Sequence, residues 1–382
     1  MKRTLLFRWA LPVLFSVAIL SQFAPNTAHA QKRKKTKVED VPTPQTVKRQ
    51  HNPNLPNVII LATGGTIAGA GESAVGTAYT AGQLPIESLL AAVPEASKVA
   101  NITGEQVAQV GSQAMNDTVW LKLAKRINEL AKRSDVHGFV ITHGTDTQEE
   151  TALFLQLTVK TDKPVVLVGA MRSATAISAD GPKNLYDAIV TAASNTSKGK
   201  GVVVCMNDNL YSARDVEKMN TTNVDAFKAP NAGPVGFVLD GKVAWYNMPL
   251  RKHTLDAEFD ITNVTELPKV DIVYGYSNLD PAAFNAFVNS GSKGIVIAGV
   301  GNGNLYPALE APIKAATAKG IAVVRSSRVG SGRVTLDAET DDKGLGTVAS
   351  DEFNPQKARV LLQLALLKTN NQQAIQEMFF RY

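Results

Sequence analysis

The chain has 382 residues, 44% hydrophobic and 19% charged, which excludes wholesale disorder and is enough for one large or two medium domains with a substantial core. A single cysteine excludes a disulfide framework and any multi-thiolate metal site. The net charge of +6 is unevenly placed. Residues 1–30 carry three basic groups and no acid, residues 31–49 carry seven against Glu39 and Asp40, and everything from residue 50 nets −2, so the folded body is not a basic nucleic-acid binder.

The amino terminus reads as an address. Met1–Arg8 is basic, Trp9–Leu20 is apolar, and Ala28-His29-Ala30 is a small-x-small cleavage signature. This pattern predicts a secretory signal over 1–30, a mature chain from about Gln31, and a periplasmic location. A membrane anchor is disfavoured: twelve apolar residues containing Pro12 rise only ~18 Å as a helix, against a hydrocarbon core of ~30 Å. Residues 31–54 hold three prolines and almost no large apolar side chains, which predicts a basic flexible tail.

From Leu55 the pattern changes to short β-branched runs: Val58–Thr63, Phe139–His143, Pro164–Gly169, Val202–Met206, Val270–Tyr276, Ile295–Gly299 and Ile321–Arg325. Near-continuous Val, Ile and Leu suits strands buried on both faces. Helical stretches lie between them. Asp117–Arg133 puts Val119, Trp120, Leu123, Ile127 and Leu130 on one stripe, with Asn116 or Asp117 placed to cap it. Thr147-Gln148-Glu149-Glu150 has capping-box spacing before the apolar run Ala152–Leu157. Lys357–Lys368 and Gln372–Phe380 read as closing helices. The alternation predicts an α/β protein with parallel, helix-covered sheets. The larger N-terminal domain spans 55–247, a connection 248–268, and a smaller C-terminal α/β domain 269–382.

Ligands of open parallel sheets bind where loops leave the carboxyl ends of strands. Four polar loops qualify: Thr63–Gly69 (TGGTIAG), Thr142–Thr147 (THGTDT), Ser212–Lys218, and Gly111–Asp117, the last opening a helix whose amides suit a carboxylate. Taken singly, each has a plain structural reading. TGGT is a tight strand-exit turn, and no Gly-Lys-Ser/Thr follows to make a phosphate loop. Gly299–Asn304 is glycine-rich but lacks the dinucleotide spacing. His143 reads as a strand-end hydrogen-bonding residue, Cys205 as core and Lys218 as a solvated charge. No residues show metal-ligand spacing.

Together, TGGTIAG and ITHGTDTQEE resemble the two signature segments of bacterial L-asparaginases. The similarity continues through GSQAMND, VGAMR, SADGPKNLYDA, ARDVEK, FKAPNAGPVG, RKHT, AGVGNGNLY, VRSSRV and NPQKARVLLQLAL. With the export signal, the chain resembles the periplasmic (type II) branch. The resemblance implies hydrolysis of L-asparagine to L-aspartate and ammonia, with weaker action on L-glutamine, through a threonine acyl-enzyme and without metal or cofactor. It implies Thr66 as first nucleophile, Tyr79 as the lid tyrosine assisting proton transfer, and Thr145, Lys218 and Asp146 as a second, triad-like relay. Which of Thr66 and Thr145 attacks first stays open, with Thr66 preferred. Asp146 would meet the substrate ammonium, and Ser112 and Gln113 its α-carboxylate. Asn304 and Glu339 match positions that reach in from a neighbouring subunit, which implies a homo-oligomer, as a rule a tetramer, with shared sites.

Cys205 alone cannot form the disulfide found in some relatives, and the basic tail lies outside the shared region. Gln113 agrees with asparagine-preferring members. A pocket distinguishes substrates differing by one methylene by only ~1–3 kcal/mol, so secondary glutaminase activity is expected. Two other readings remain: a solute-binding protein that captures an amino acid without turnover, and an interaction protein recruited by its basic tail. The first has no use for two hydroxyls, a tyrosine and a lysine in one pocket.

Overall fold

The computed structural model describes residues 47–48, 51–71, 73–74, 80, 82 and 84–382. The signal over 1–30, most of the tail and Tyr79 lie outside the described residues. In chain order the elements are β1 (Val47–Lys48), β2 (Asn57–Gly64), α1 (Ile86–Ala91), β3 (Asn101–Val110), α2 (Asp117–Ala131), β4 (Gly138–Thr142), α3 (Gln148–Thr158), β5 (Val165–Val168) and α4 (Gly181–Ala193). Then come β6 (Val202–Met206), β7 (Asn209–Ser212), β8 (Glu217–Lys218), β9 (Phe227–Lys228), β10 (Gly236–Leu239) and β11 (Lys242–Trp245). The last part holds β12 (Val270–Tyr274), α5 (Ala282–Asn289), β13 (Gly294–Gly299), α6 (Glu310–Thr317), β14 (Ala322–Ser327), α7 (Asp342–Leu345), β15 (Thr347–Ala349), α8 (Pro355–Leu366) and α9 (Gln372–Arg381).

The architecture is α/β with a larger amino-terminal and a smaller carboxy-terminal sheet. The larger sheet runs β1-β3-β2-β4-β5-β6-β7-β10-β11 and the smaller β12-β13-β14-β15, all parallel. The central β3-β2-β4-β5-β6 of the larger sheet is parallel, and β1 and β7-β10-β11 extend it with antiparallel strands. Two of these antiparallel pairings come from two-residue hairpins. Asn207 and Asp208 join β6 to β7 with φ of 51° and 65°, and Asp240 and Gly241 join β10 to β11 with φ of 51° and 68°. Two successive positive φ values match the right-handed twist of the flanking strands, and Asn, Asp and Gly adopt them at least cost.

Val47–Lys48 pair with Thr103 and Gly104, and Asn101 Nδ2 donates to the carbonyls of Asn52 and Leu55 at 2.8 and 2.9 Å. Backbone ladder bonds and one asparagine side chain thus tie down chain that has little apolar surface to bury. Asn116 caps α2 as expected, accepting from the Val119 amide at 3.2 Å. The capping box at α3 does not form: Thr147 makes no side-chain cap, and its hydroxyl donates to the Ser112 carbonyl at 2.8 Å.

One continuous apolar core joins the two sheets. It contains Ile59, Leu61 and Ile141 of the larger sheet, Val296, Val324 and Val348 of the smaller, and the facing sides of α2, α3 and α8. The connection between β11 and β12 packs into it through Phe259 and Ile261, each 1% exposed. A second core lies under α1 and α4, and a third under α5 and α6. In the smaller sheet Arg325 is buried among apolar strands and is paired with Asp342, Nε to Oδ1 at 2.6 Å and Nη2 to Oδ2 at 2.5 Å. Its remaining hydrogens go to the carbonyls of Asn302, Gly303 and Thr335. Removing one member of such a pair strands the other charge, so Asp342→Ala should lower unfolding free energy by about 3–5 kcal/mol in denaturant titration.

Candidate active site

The strand order switches sides about β2, with β3 on one flank and β4 on the other, and a crevice opens at the carboxyl ends of parallel strands where such a switch occurs. The β2–β4 register runs from Val58 opposite Gly138 to Ala62 opposite Thr142. The TGGT and THGTDT segments therefore leave the sheet side by side. Gly64 and Gly65 turn the chain with φ of 109° and 85°, a region L side chains avoid. A Cβ on Gly65 would fall within the Gly144 backbone, and one on Gly144 would lie 2.7 Å from Ser112 Cβ. Two loops thus meet backbone to backbone, and the Ser112 side chain of a third packs on them, at a point where only glycine fits.

Thr66 and Thr145 stand at this junction, 5% and 4% exposed. Lys218 Nζ donates to Thr145 Oγ1 at 2.9 Å and to Asp146 Oδ1 at 2.6 Å. The lysine hydrogen bond holds the Asp146 carboxyl below its ordinary value. The Asp146 amide donates to Ser112 Oγ at 3.3 Å. Of the residues expected at the site, Thr66, Thr145, Asp146, Lys218 and Ser112 therefore converge, and Gln113 sits exposed beside Ser112. Asn304 and Glu339 bond to each other at 2.6 Å on loops of the smaller sheet, rather than to Thr145, Asp146 or Lys218. Among the described residues no group of three metal-binding side chains occurs.

His143 is fully buried beneath the loop. Its Nδ1 lies 2.7 Å from the Gly144 carbonyl and its Nε2 2.8 Å from Thr151 Oγ1, which accepts from Trp120 Nε1 at 2.7 Å. A carbonyl can only accept, so Nδ1 carries the proton and Nε2 accepts from the Thr151 hydroxyl. The ring fastens the Gly144 carbonyl, in keeping with its strand-end reading.

Two residues at the site were not legible in sequence. Glu149 accepts from the Lys218 amide at 2.7 Å, and Arg325 holds the loops that carry Asn304 and Glu339. Glu149 stood in a segment whose spacing suggested helix capping, and Arg325 ended an apolar strand. No sequence signal pointed to either role.

The amino-terminal asparaginase family model matches residues 57–251, and the glutaminase/asparaginase carboxy-terminal domain matches 269–379. The chain belongs to the asparaginase/glutaminase family. It is 56% identical to L-asparaginase 2 of Escherichia coli over 328 residues, covering 86% of this chain and 94% of that protein. It is 48% identical to a glutaminase-asparaginase of Pseudomonas fluorescens, covering 86% and 91%. The crystal structure of a probable cytoplasmic L-asparaginase from Campylobacter jejuni superposes with a TM-score of 0.83 at 50% identity, covering 86% of this chain and 100% of that one.

Burial pushes the His143 imidazolium down to about 4 from 6.5. Between those values the unfolded chain binds the extra proton, so this histidine's contribution is complete above pH 6.5 and is lost as pH falls toward 4. Burial raises Glu150 to about 7 and Asp187 to about 6, which gives the opposite slope. The His143 effect is therefore read as a difference between proteins. The stability gap between wild type and His143→Gln should narrow by about 3 kcal/mol from pH 6.5 to pH 4 in parallel denaturant titrations.

Proposed function

We propose that this protein hydrolyses the side-chain amide of L-asparagine to L-aspartate and ammonia, and that of L-glutamine more weakly, through an acyl-enzyme on Thr66. The observation that carries the reading is the Thr145–Lys218–Asp146 relay set against Thr66 where the two signature loops meet. A pocket that only captured an amino acid would need its charged grips but not a lysine bonded to a second buried hydroxyl. The names of the Escherichia coli and Pseudomonas relatives support both substrates.

In this reading Thr66 Oγ attacks the amide carbonyl carbon and gives up its proton, with Tyr79 as the assisting group. Backbone amides about Gly65–Thr66 and Thr145 receive the developing oxyanion; donors fixed by glycine-to-glycine packing need no reorganisation as the charge forms. The C–N bond breaks, ammonia leaves with the added proton, and water then attacks the aspartyl ester with Thr145 and Lys218 relaying its proton. Asp146 meets the substrate ammonium, and Ser112 and Gln113 its carboxylate. Thr66→Ala should lower kcat by at least about a thousandfold while asparagine still binds, because nucleophile and grips are separate groups. Ammonia release and equilibrium binding check the two halves; normal turnover would exclude Thr66 as nucleophile.

The oligomer is read as a tetramer with composite sites. The Asn304–Glu339 pair supports this, because its amide and carboxylate bond to each other and not to Thr145, Asp146 or Lys218 of their own chain. Co-refolded Thr66→Ala and Glu339→Ala subunits, each inactive alone, should recover part of the wild-type rate. Absence of recovery in verified mixed oligomers would count against shared sites. The basic-apolar-small pattern of residues 1–30 supports export to the periplasm, as does the Haemophilus influenzae relative named a probable periplasmic L-asparaginase, 56% identical over 326 residues. We read the chain as two domains over 55–247 and 269–382 joined by 248–268, a division that the two separate sheets support.

A further inference from the structure

We infer that Glu149 is a positioning residue that holds the Lys218 relay in register with Thr145 and ties it to the smaller sheet's half of the chain. The inference rests on the amidohydrolase reading above. Lys218 belongs to neither main sheet. It rides on β8, two residues long and paired only with the two residues of β9. A ribbon that short has little stability of its own, so it does not fix a side chain to within catalytic tolerance. What fixes it is a carboxylate. Glu149 Oε2 accepts from the Lys218 amide at 2.7 Å, from a position four residues beyond Thr145 at the start of α3. The segment that carries Thr145 and Asp146 thereby grips the backbone of the residue whose ammonium both of them contact.

The other oxygen of the same carboxylate reaches across the fold. Glu149 Oε1 accepts from Asn354 Nδ2 at 2.9 Å and Gln356 Nε2 at 2.6 Å, at the cap and first turn of α8. Glu149 is 4% exposed, and all three partners are donors. An ionised carboxylate, which only accepts, satisfies them all; a primary amide must turn its NH2 toward at least one donor. Gln356 also borders, with Asp146, Glu149 and Lys218, an open cleft of about 470 Å³. Movement at the head of α8 therefore has a direct route to the lysine.

The test compares steady-state hydrolysis of asparagine by wild type, Glu149→Gln and Gln356→Leu, with Leu130→Ala as a control destabilised in the core of α2. For Glu149→Gln, kcat should fall at least about tenfold with KM within about threefold, because substrate grips stay in place while the relay shifts. Gln356→Leu should show the same pattern at about threefold or more, and Leu130→Ala should keep kcat despite its lower stability. The inference is overturned if folded Glu149→Gln turns over like wild type, or if its loss lies in KM. Should Glu149→Gln fail to fold, unchanged kcat in Gln356→Leu overturns it alone. A wild type that releases no ammonia from asparagine would instead overturn the parent reading.

Discussion

The structure depends on one steric constraint, the backbone contact between Gly65 and Gly144. Adjacent parallel strands lie ~4.8 Å apart, and loops leaving them normally diverge under the bulk of their side chains. Here Gly65, just past the end of β2, meets Gly144, two residues past the end of β4, so the two exits touch before they turn away. That contact sets side by side the loops that carry two threonines 79 residues apart in the chain. It also explains the buried His143. A loop made of glycine has no side chain to hold it, and the imidazole supplies the missing anchor through the Gly144 carbonyl.

A second principle recurs around the site: short, weakly structured segments are fixed by single buried charges. Glu149 does this for the β8 ribbon, and Arg325 for the Asn302–Gly303 and Thr335 loops. Each charged group is saturated with hydrogen bonds, and for that reason its burial is tolerable. Chains of apolar contacts cannot do this work at a polar pocket, since they specify volume but not the direction of an amide or ammonium. The large core between α3 and α8 provides the rigid background, and the charges set the geometry at its edge.

Much of the fold is legible because buried parallel strands leave an unmistakable pattern. The apolar run Val202–Met206 coincides with β6, and the helical stretches beginning at Asp117, Lys357 and Gln372 lie within a few residues of α2, α8 and α9. Several of the strands that escaped lie at the margin of the larger sheet or carry polar residues along one face. β3 reads NITGEQVAQV, and one of its polar residues, Glu105, pairs with Arg126 at 2.8 Å. β7, β10 and β11 form short antiparallel hairpins at the sheet margin, and their MNDN and LDGK turns were the overlooked signals. Thr147 and Glu150 had capping-box spacing, yet Ser112 offered the threonine hydroxyl a partner that the linear chain could not reveal.

The sequence by itself determined the strand-forming runs, the helix starts, the glycines at which two loops turn, and the family to which those motifs belong, because these are local properties of side-chain period and backbone freedom. It also marked the chemistry-bearing side chains, though Lys218 taken alone was a surface charge. Only the tertiary structure decided which of them meet. Thr145 and Lys218 are brought to 2.9 Å across 73 residues, and Glu149 to the head of α8 across more than two hundred. Distances of that kind are set by strand order, by the packing of α3 on α8 and by the saturation of buried charges, and none of these leaves a periodicity in the chain.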